Sequence, residues 1–322
     1  MPDIITMGEL LIDFIPSEKD CKLKDVNQFS KAAGGAPANV AAALGRIGCS
    51  VGFIGKVGND AFGDFLQETM EEQGVNTWQI VRTDKAMTTL AFVSLQTDGE
   101  RDFAFYRKPG ADMLLKEEEI DLDYINSAKI FHFGTISLTD EPVSSTTKLL
   151  IKRAKENGAW ISFDPNIRLP LWNYNLEPLR QEYHDVLPDV DLLKLNLNEL
   201  KQLYPEETGN PENQFSLDDL RNITAPILKQ GPEYIIITDG GNGSYFISKN
   251  NSFHVKTKNI KAVDTTGAGD AFMAGILSKI LENNDLEKID WRAALKRANK
   301  FGAITCSRYG AIPALPDRDD LE

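Results

Sequence analysis

The chain has 322 residues, enough for one large α/β domain or two domains of ordinary size. Apolar residues make up 42% and charged residues 26%, and the formal net charge of −13 argues against binding to nucleic acid or to an anionic membrane. The three cysteines are far apart and form no CxxC pair, so a disulfide framework or structural zinc site is not expected and a reducing compartment fits.

The N-terminal stretch MPDIITMGELLIDFIPSE predicts a β-strand rather than a signal peptide, because it lacks a basic start and carries acids inside its apolar run. No later stretch approaches the ~18 apolar residues that a membrane-spanning helix requires. We therefore expect a cytoplasmic protein without a membrane or nucleic-acid partner.

Strand-like and helix-like patterns then alternate along most of the chain. The first helical pattern, APANVAAALGRIG at 36–48, places Val40, Leu44 and Ile47 on one helix face. Further strands are predicted in KIFHFGTIS, AWISFDPN, DLLKLNL and EYIIITDG, with helical patterns such as SSTTKLLIKRAKENG and LEPLRQEYHDVLP between several of them. This alternation predicts an α/β fold with a mostly parallel sheet that helices cover on both faces.

Two regions interrupt the alternation, at about residues 11–33 and 86–110. The second contains two β-rich runs around Asp98-Gly99, which is a hairpin signal, and the first contains no helical pattern. They predict a small additional β-sheet that could serve as a lid, within a single domain over residues 1–322. Residues 205–217 (PEETGNPENQFSL) are predicted to form a surface loop.

The densest run of small residues, DTTGAGD at 264–270, leads directly into a helical pattern. The N–H groups of Gly267, Ala268 and Gly269 would therefore point out of a helix N-terminus, where backbone dipoles attract anions such as phosphate. Glycine also lets a phosphate group approach the backbone closely. The stretch therefore predicts a phosphate-binding turn.

Asp270 lies in the first turn of that predicted helix. An acid at this position can simply complement the helix dipole, which is the commoner role of a lone Asp. Beside a phosphate cradle, however, a second anion is unfavourable unless it has a function. Accepting the proton of a hydroxyl group that attacks phosphorus is such a function, so Asp270 is the candidate general base.

Two other phosphate-binding motifs fit poorly. The only Gly-Lys pair, Gly55-Lys56, precedes Val57 and lacks the correctly placed first glycine of a P-loop. The stretch GAGDAF has Phe272 where a dinucleotide-binding fingerprint needs its third glycine, and only about 50 residues follow it. A P-loop protein and a Rossmann oxidoreductase are therefore disfavoured.

Four motifs, in order along the chain, resemble those of the ribokinase-like (PfkB) sugar kinases. They are GGAPANVAAALGRIG at 34–48, NLNE at 196–199, TDGGNGSY at 238–245 and DTTGAGDAF at 264–272. The stretches GERDFAFYRKPGADMLL, FHFGTISL and SFDPNIRLPLW most resemble the fructokinase branch of that family. The resemblance implies a doubly wound sheet with a β-sheet lid, ATP and fructose as ligands, and a homodimer formed through the lids.

The same resemblance implies roles for individual residues. Asp270 would take the proton from the primary hydroxyl group of the sugar, while residues 267–269 would stabilise the transferring phosphoryl group. Asn196 and Glu199 would hold hydrated Mg²⁺. Taken alone, NLNEL is explained equally well as a helix start, with Asn196 as the cap and Glu199 at the third helical position.

Nucleotide and sugar contacts are implied in the same way. The implied nucleotide contacts are Thr238, Gly240, Gly243 and, near the adenine, Asn299; a strand-end turn and a polar helix face are the simpler explanations for them. The implied sugar contacts are Asp13, Gly34, Gly35, Asn39, Phe105, Arg107 and Arg168. Asp13 interrupts an apolar strand, where an acid needs polar partners, whereas each arginine taken singly is more often a surface ion-pair partner.

A monovalent-cation site is implied less completely. Many family members bind K⁺ between the backbone of a turn, here Asp264 to Thr266, and a late loop that often ends in Ser or Thr. In SRYGAIPALP at 307–316, Ala314 stands about where that hydroxyl group would be. Potassium dependence is therefore left open, and Asp264 is interpreted as shaping the turn or a cation loop.

These observations together predict an ATP- and Mg²⁺-dependent fructokinase that produces fructose 6-phosphate. One alternative is a kinase of another sugar, such as 2-keto-3-deoxygluconate or ribose. Another is a non-catalytic, kinase-like regulator that binds sugar, which the intact glycine turn and base disfavour.

Overall fold

The computed structural model describes residues 1–17, 21–95, 101–210, 214–283 and 288–321. Its strands form a nine-stranded sheet in the order β13-β12-β11-β10-β9-β8-β1-β4-β5 and a four-stranded sheet in the order β3-β2-β6-β7. The strands are β1 Ile4–Met7, β2 Leu11–Pro16, β3 Phe29–Gly34, β4 Val51–Gly58, β5 Asn76–Thr83, β6 Leu90–Leu95, β7 Arg101–Tyr106, β8 Ile130–Phe133, β9 Trp160–Phe163, β10 Leu192–Asn196, β11 Tyr234–Thr238, β12 Ser244–Ser248 and β13 Ser252–Val255.

The α-helices lie mostly between consecutive strands of the large sheet. They are α1 Ala36–Arg46, α2 Ala61–Glu72, α3 Leu122–Asn126, α4 Val143–Glu156, α5 Leu176–Val186, α6 Leu197–Leu203, α7 Pro205–Thr208, α8 Leu217–Thr224, α9 Ala268–Leu281 and α10 Trp291–Cys306. Among the described residues, none of the helices combines the length and the apolar character needed to cross a membrane.

The large sheet is wound in both directions from β1. That strand pairs in parallel with β4 on one side and β8 on the other, so that Ile4 lies opposite both Val51 and Ile130. The parallel pairing continues to β5 on one side and to β11 on the other, beyond which β12 and β13 are antiparallel. In such sheets ligands bind at the carboxyl ends of the strands, where the winding direction changes.

Successive side chains of β1 point into two separate hydrophobic cores. Ile4 belongs to a buried cluster with Leu44 of α1 and Ile276 of α9. Its neighbour Ile5 belongs to a second cluster with Leu150 of α4. Since strand side chains alternate between faces, helices cover both faces of the sheet, and the predicted α/β architecture is confirmed.

The small sheet is built from the two regions that interrupt the α/β alternation. Strand β2 pairs antiparallel with β3 and parallel with β6, and β6 pairs antiparallel with β7. Aromatic side chains cover part of it, with Phe14 and Phe92 stacked at a centroid distance of 4.8 Å. The predicted small additional sheet is therefore confirmed, while the predicted turn at Asp98-Gly99 lies outside the described residues.

Local sequence explains most helix boundaries. The carboxylate of Asp60 caps α2 by accepting hydrogen bonds from the backbone N–H groups of Phe62 and Gly63, and Gly74 follows its end with a φ of 79°. The predicted surface loop at 205–217 is partly wrong, because Pro205 begins the short helix α7. Proline suits the first helical position, since its missing N–H group would have no partner there.

Candidate active site

The N-terminus of α9 forms the centre of the candidate site. Gly267 precedes the helix with a φ of 75°, a left-handed conformation that glycine adopts without strain. A side chain there would also meet Ala311, whose Cα atom lies 3.2 Å from the position of an added Cβ. The turn thus requires glycine at position 267 for both backbone and steric reasons.

Two of the three predicted cradle N–H groups remain available to a ligand. The N–H group of Ala268 donates to the Thr265 carbonyl at 3.3 Å. Within the described parts of the chain, the N–H groups of Gly267 and Gly269 have no acceptor. Backbone donors at a helix N-terminus are suited to phosphate, because the helix dipole adds to their attraction.

Asp270 lies next to these donors, and its side chain is held from two sides. Its exposed fraction is 6%, and its Oδ2 accepts a hydrogen bond from Asn39 Nδ2 at 2.8 Å. Its Oδ1 accepts one from Asn166 Nδ2 at 3.3 Å. Both amide side chains therefore fix the orientation of a buried carboxylate in the first turn of α9.

The surroundings of Asp270 raise its pKa to about 6. Burial is the largest cause, because it disfavours the charged carboxylate, and the nearby charge of Asp164 acts in the same direction. The hydrogen bond from Asn39 and the positive charges of Lys194 and Arg168 oppose the rise. A carboxylate with a pKa just below neutral is ionised at pH 7 and is still basic enough to accept a proton.

Asn166 was not identified from the sequence. It follows β9 with a φ of 47°, a conformation that Asn tolerates better than most residues, and this turns its amide toward Asp270. The Oδ1 atoms of Asn166 and Asn39 are buried and have no hydrogen-bond partner among the described residues. Buried acceptors of this kind are available to hydroxyl donors of a ligand.

A buried ion pair lies behind the turn. Lys194 of β10 donates from Nζ to Asp164 Oδ2 at 2.7 Å, and both residues are 3% exposed. Burial alone would lower the pKa of Lys194, but the carboxylates of Asp164 and Glu199 outweigh it and raise that pKa. Sequence reasoning missed this pair, although Lys194 interrupts the apolar run LLKLNL as Asp13 interrupts LLIDF.

Asn196 and Glu199 form a reciprocal cap at the start of α6. The Asn196 Oδ1 accepts from the Glu199 N–H group at 2.9 Å, and Glu199 Oε2 accepts from the Asn196 N–H group at 2.9 Å. Glu199 Oε1 also accepts from the Ile167 N–H group at 3.0 Å, and burial raises the pKa of this carboxyl. The helix-start interpretation of NLNEL is therefore correct as local structure.

The same two residues have the donor chemistry for hydrated magnesium. Carboxylate and amide oxygens keep lone pairs beyond the capping bonds, and Mg²⁺ in nucleotide sites usually retains several waters. Over the described ranges, no group of three or more His, Cys, Asp or Glu side chains is arranged to hold a metal ion directly. The oxygen atoms of Asn196 and Glu199 thus fit contacts to the water shell of a magnesium ion.

A cavity of about 260 Å³ begins at the α9 turn and contains all four predicted nucleotide residues: Thr238, Gly240, Gly243 and Asn299. Ala268 and Gly269 line it as well, and Ile260 and Phe272 supply apolar walls. Asn299 Nδ2 donates to the Val255 carbonyl at 3.0 Å, which fixes its amide. The cavity therefore combines a partly apolar chamber with access to the phosphate-binding turn.

A wider cleft of about 840 Å³ adjoins this cavity and shares Thr238, Gly240 and Thr257 with it. Asn196 lies on its wall, so the cleft reaches the end of β10. The strand ends of β10 and β11 thus open onto one continuous depression, in which a nucleotide has room to extend.

The predicted sugar residues at the start of α1 lie close together. A side chain at Gly34 would collide with the carboxylate of Asp13, so glycine permits the close approach of strands β2 and β3 at this point. Gly35 precedes α1 and Asn39 lies in its first turn, where it reaches Asp270. Glu9 was not predicted, yet its Oε1 accepts from the Ala36 N–H group at 2.7 Å and anchors the same turn.

The two predicted sugar arginines differ in their surroundings. Arg107 is 3% exposed and donates to Asp112 Oδ2 at 2.7 Å, to Thr139 Oγ1 at 2.7 Å and to the Ile136 carbonyl at 3.1 Å. Arg168 is half-buried beside the site, and its positive charge lowers the pKa of Asp270. Arg168 thus lies nearer the proposed chemistry, while three nitrogen atoms of Arg107 are engaged in a protein network.

Phe105, the last of the predicted sugar contacts, lies on β7 opposite Ala91 of β6 and is half-buried in the small sheet.

Asp264 shapes the α9 turn: its Oδ1 accepts from Thr266 N at 2.9 Å and from Thr266 Oγ1 at 2.7 Å. Its Oδ2 accepts from the Gly310 N–H group at 3.0 Å, which ties the turn to the late loop. Ala314 of that loop is fully buried.

Comparison with known proteins agrees with this geometry. The pfkB family carbohydrate kinase model matches residues 1–318. The chain is 43% identical over 322 residues to the probable fructokinase-6, chloroplastic, of Arabidopsis thaliana, covering 99% of this chain and 81% of the relative.

Solved structures give the same result. The fold matches the crystal structure of fructokinase with bound ATP from Xylella fastidiosa at a TM-score of 0.87 and 33% identity, covering 100% of this chain and 97% of the other. It matches a putative ribokinase II in complex with ATP and Mg²⁺ from E. coli at a TM-score of 0.86 and 27% identity, covering 100% and 98%. The predicted family is confirmed: the chain belongs to the PfkB family of carbohydrate kinases and is an ATP-dependent sugar kinase.

Proposed function

We propose that the chain is a fructokinase, which transfers the γ-phosphoryl group of ATP to the 6-hydroxyl group of D-fructose. The observation that carries the mechanism is the buried carboxylate of Asp270, held by Asn39 and Asn166 beside two backbone N–H groups that lack acceptors in the described chain. The substrate class is supported by the relatives named fructokinase, one of them a structure with bound ATP.

In this proposal Asp270 accepts the hydroxyl proton while the sugar oxygen forms a bond to the γ-phosphorus. The bond from that phosphorus to the bridging oxygen of ATP breaks, and ADP leaves with the electron pair. The N–H groups of Gly267 and Gly269 stabilise the charge that spreads over the transferring group, because no acceptor in the described chain occupies them.

Magnesium would neutralise part of the phosphate charge, and Asn196 and Glu199 would hold its water shell. Thr238, Gly240 and Gly243 would line the nucleotide, and Asn299 would approach the adenine from α10. These assignments are supported by the shared cavity that connects the four nucleotide residues with Ala268 and Gly269.

The sugar would occupy the space between the start of α1 and the α9 turn. Asp13, Gly34, Gly35, Asn39, Arg107 and Arg168 would contact it, and Phe105 would approach it from the small sheet. The unpartnered buried Oδ1 atoms of Asn39 and Asn166 support this placement, since hydroxyl donors would satisfy them.

Residues 11–33 and 86–110 would serve as the lid of a single domain, and a homodimer would form through the lids. Support comes from the exposed aromatic side chain of Tyr106, 68% accessible at the end of β7.

A potassium site near Asp264 and Thr266 would depend on carbonyl groups of the late loop, because Ala314 offers no hydroxyl group. We also propose a cytoplasmic location, consistent with three cysteines that are far apart in the sequence and form no CxxC pair.

The test is ATP-dependent ADP release with fructose and Mg²⁺ for the wild type, Asp270→Ala and Asp219→Ala. We expect Asp270→Ala to lose about 10³-fold in kcat, because general-base catalysis typically contributes 10²–10⁴-fold. Asp219 is the matched control, since it occupies the third position of α8 and is exposed. Equal activity of the wild type and Asp270→Ala would refute the mechanism.

A panel containing fructose, ribose and 2-keto-3-deoxygluconate in the same assay tests the substrate. We expect the highest kcat/KM for fructose. A preference for one of the other sugars would replace the substrate assignment and leave the kinase class intact. Binding of fructose and ATP without any ADP release would instead favour a non-catalytic regulator.

A further inference from the structure

The position of Lys194 relative to the α9 turn has a consequence for phosphoryl transfer. A Cβ atom built on Gly269 would lie 3.2 Å from Lys194 Nζ, so the ammonium group lies directly beneath the phosphate-binding turn. Lys194 is 3% exposed and comes from the middle of the sheet, where a charged side chain is costly to bury. Its location therefore needs an explanation beyond packing.

The hydrogen bonding of this pair is incomplete. In the described residues Lys194 Nζ donates to Asp164 Oδ2 alone, although an ammonium group has three N–H donors. Asp164 Oδ1 is buried and has no hydrogen-bond partner there. Unsatisfied groups on both members of a buried pair are rare in native proteins and are characteristic of functional sites.

Negative charge surrounds the ammonium. Asp164, Glu199 and Asp270 all interact electrostatically with Lys194, and the positive charge of Arg168 also acts on Asp270. His132 of β8, which also interacts electrostatically with Lys194, is hydrogen-bonded to Ser162 Oγ at 3.0 Å, and burial lowers its pKa to about 4, so it is neutral. Without Lys194, an incoming phosphoryl group would face three buried carboxylates with Arg168 as the remaining compensating charge.

We propose that Lys194 is a positioning residue for phosphoryl transfer, whose fixed charge beneath Gly269 strengthens the phosphate-binding turn and acts on the neighbouring Asp270 carboxylate. The proposal rests on the proposed function of that turn. Lys194 would act on the reaction through Gly269 and Asp270, without touching the substrate itself. If Lys194 contributed only to stability, replacing it would lower the free energy of unfolding without changing kcat or the pKa of Asp270.

The experiment compares Lys194→Met, Lys194→Gln and Lys194→Arg with Lys56→Met, using the sugar that the wild type prefers. Lys56 is the matched control: it is also 3% exposed in the same sheet, donating to Glu119 Oε1 at 2.6 Å and the Leu114 carbonyl at 3.0 Å. Lys194→Gln can keep a hydrogen bond to Asp164 without the charge, so it tests the charge even if Lys194→Met fails to fold.

We expect the Met and Gln variants of Lys194 to lose about 100-fold in kcat, with KM for the sugar within about threefold, as for removal of a donor from an anion-binding site. The acid limb of the pH–rate profile should move up by about one pH unit, because loss of a nearby cation favours protonated Asp270. Lys194→Arg should recover to within about tenfold of the wild type, since it keeps the charge.

A second measurement does not depend on activity. NMR titration of ¹³C-labelled aspartate should place the pKa of Asp270 higher in Lys194→Gln than in the wild type, and unchanged in Lys56→Met. An unmoved Asp270 titration with kcat within threefold of the wild type would overturn the proposal, as would equal losses in Lys56→Met. A wild type that phosphorylates no sugar would refute the proposed function, while the NMR comparison would still decide whether Lys194 controls Asp270.

Discussion

Two buried charged clusters in this molecule resemble each other in composition and differ in how completely they are hydrogen-bonded. The site cluster, Asp164, Lys194 and Asp270, lies at the α9 turn and contains a carboxylate oxygen without a partner in the described chain. In the Arg107 cluster, formed by Arg107 with Asp112, both carboxylate oxygens of Asp112 accept hydrogen bonds, from Arg107 and Thr89. Both clusters are almost inaccessible to water.

The difference indicates what each cluster is for. A buried carboxylate whose two oxygens both accept hydrogen bonds fixes the relative position of chain segments, because breaking either bond leaves a buried group unpaired. An incompletely satisfied one keeps its binding capacity for a ligand and carries a cost in stability. Because Arg107 is also a proposed sugar contact, we expect changes in the Arg107 cluster to lower stability and weaken sugar binding without lowering kcat, and changes in the site cluster to lower kcat.

The largest effect on stability should come from Asp112→Asn. It leaves the buried Arg107 without its counter-charge, so the free energy of unfolding should fall by about 3–5 kcal/mol in urea denaturation. Asp140→Asn is the control, since Asp140 is 44% exposed and lies 3.8 Å from the same guanidinium. It should cost less than about 1 kcal/mol. A large loss of kcat in folded Asp112→Asn, comparable with Asp270→Ala, would break the comparison.

A smaller effect should come from Glu9→Gln, next to the Arg107 cluster. Glu9 is 2% exposed and its Oε2 has no partner among described residues, while Arg107 and Asp112 face it. Burial raises its pKa from 4.5 to about 7, so the folded protein binds a proton there that the unfolded chain has released.

The contribution of Glu9 to stability therefore falls as pH rises from about 4.5 to 7, by on the order of 3 kcal/mol in total. Glu9→Gln should lack this part of the decline when unfolding is measured at pH 5 and pH 7.5. Parallel pH dependence in the two proteins would show that Glu9 is not protonated in the folded state. Asp270 contributes a decline of the same sign to both proteins and cancels in the difference.

The smallest of the expected effects is the pH dependence of kcat/KM. Asp270 acts as a base only when ionised, and its pKa is about 6, so kcat/KM should fall about tenfold per pH unit below pH 6. Steady-state rates from pH 5 to pH 8, with Mg²⁺ in excess so that the nucleotide remains complexed, would measure it. A profile that is flat down to pH 5 would contradict the assignment of Asp270.

The sequence predicted those parts of the site that neighbouring residues determine. The α9 turn follows from glycines and a helical pattern within a few residues, and the α/β architecture follows from alternating periodicities. Asn166 and the Asp164–Lys194 pair escaped prediction, because their roles depend on β9 and β10 being neighbours in the sheet, with Leu192 opposite Ser162. Periodicity identifies strands but does not state which of them are adjacent.

The NLNE motif shows a different limit. Its residues are compatible with a helix cap and with a magnesium site. The structure contains the cap, and the same residues can still contact a hydrated magnesium ion. One set of oxygen atoms can accept backbone hydrogen bonds and still retain lone pairs. The composition of such a motif cannot separate two roles that the same atoms can fill together.

The bond between Asn39 and Asp270 joins residues that are 231 positions apart. During synthesis on the ribosome the N-terminal part of the chain emerges first and begins to fold before the rest is made. Leu44 of α1 lies in the same buried cluster as Ile276 of α9, so α1 gains its full packing only when α9 has been made. The orientation of the Asp270 carboxylate by Asn39 is therefore set late, after residue 270 of a 322-residue chain has been added.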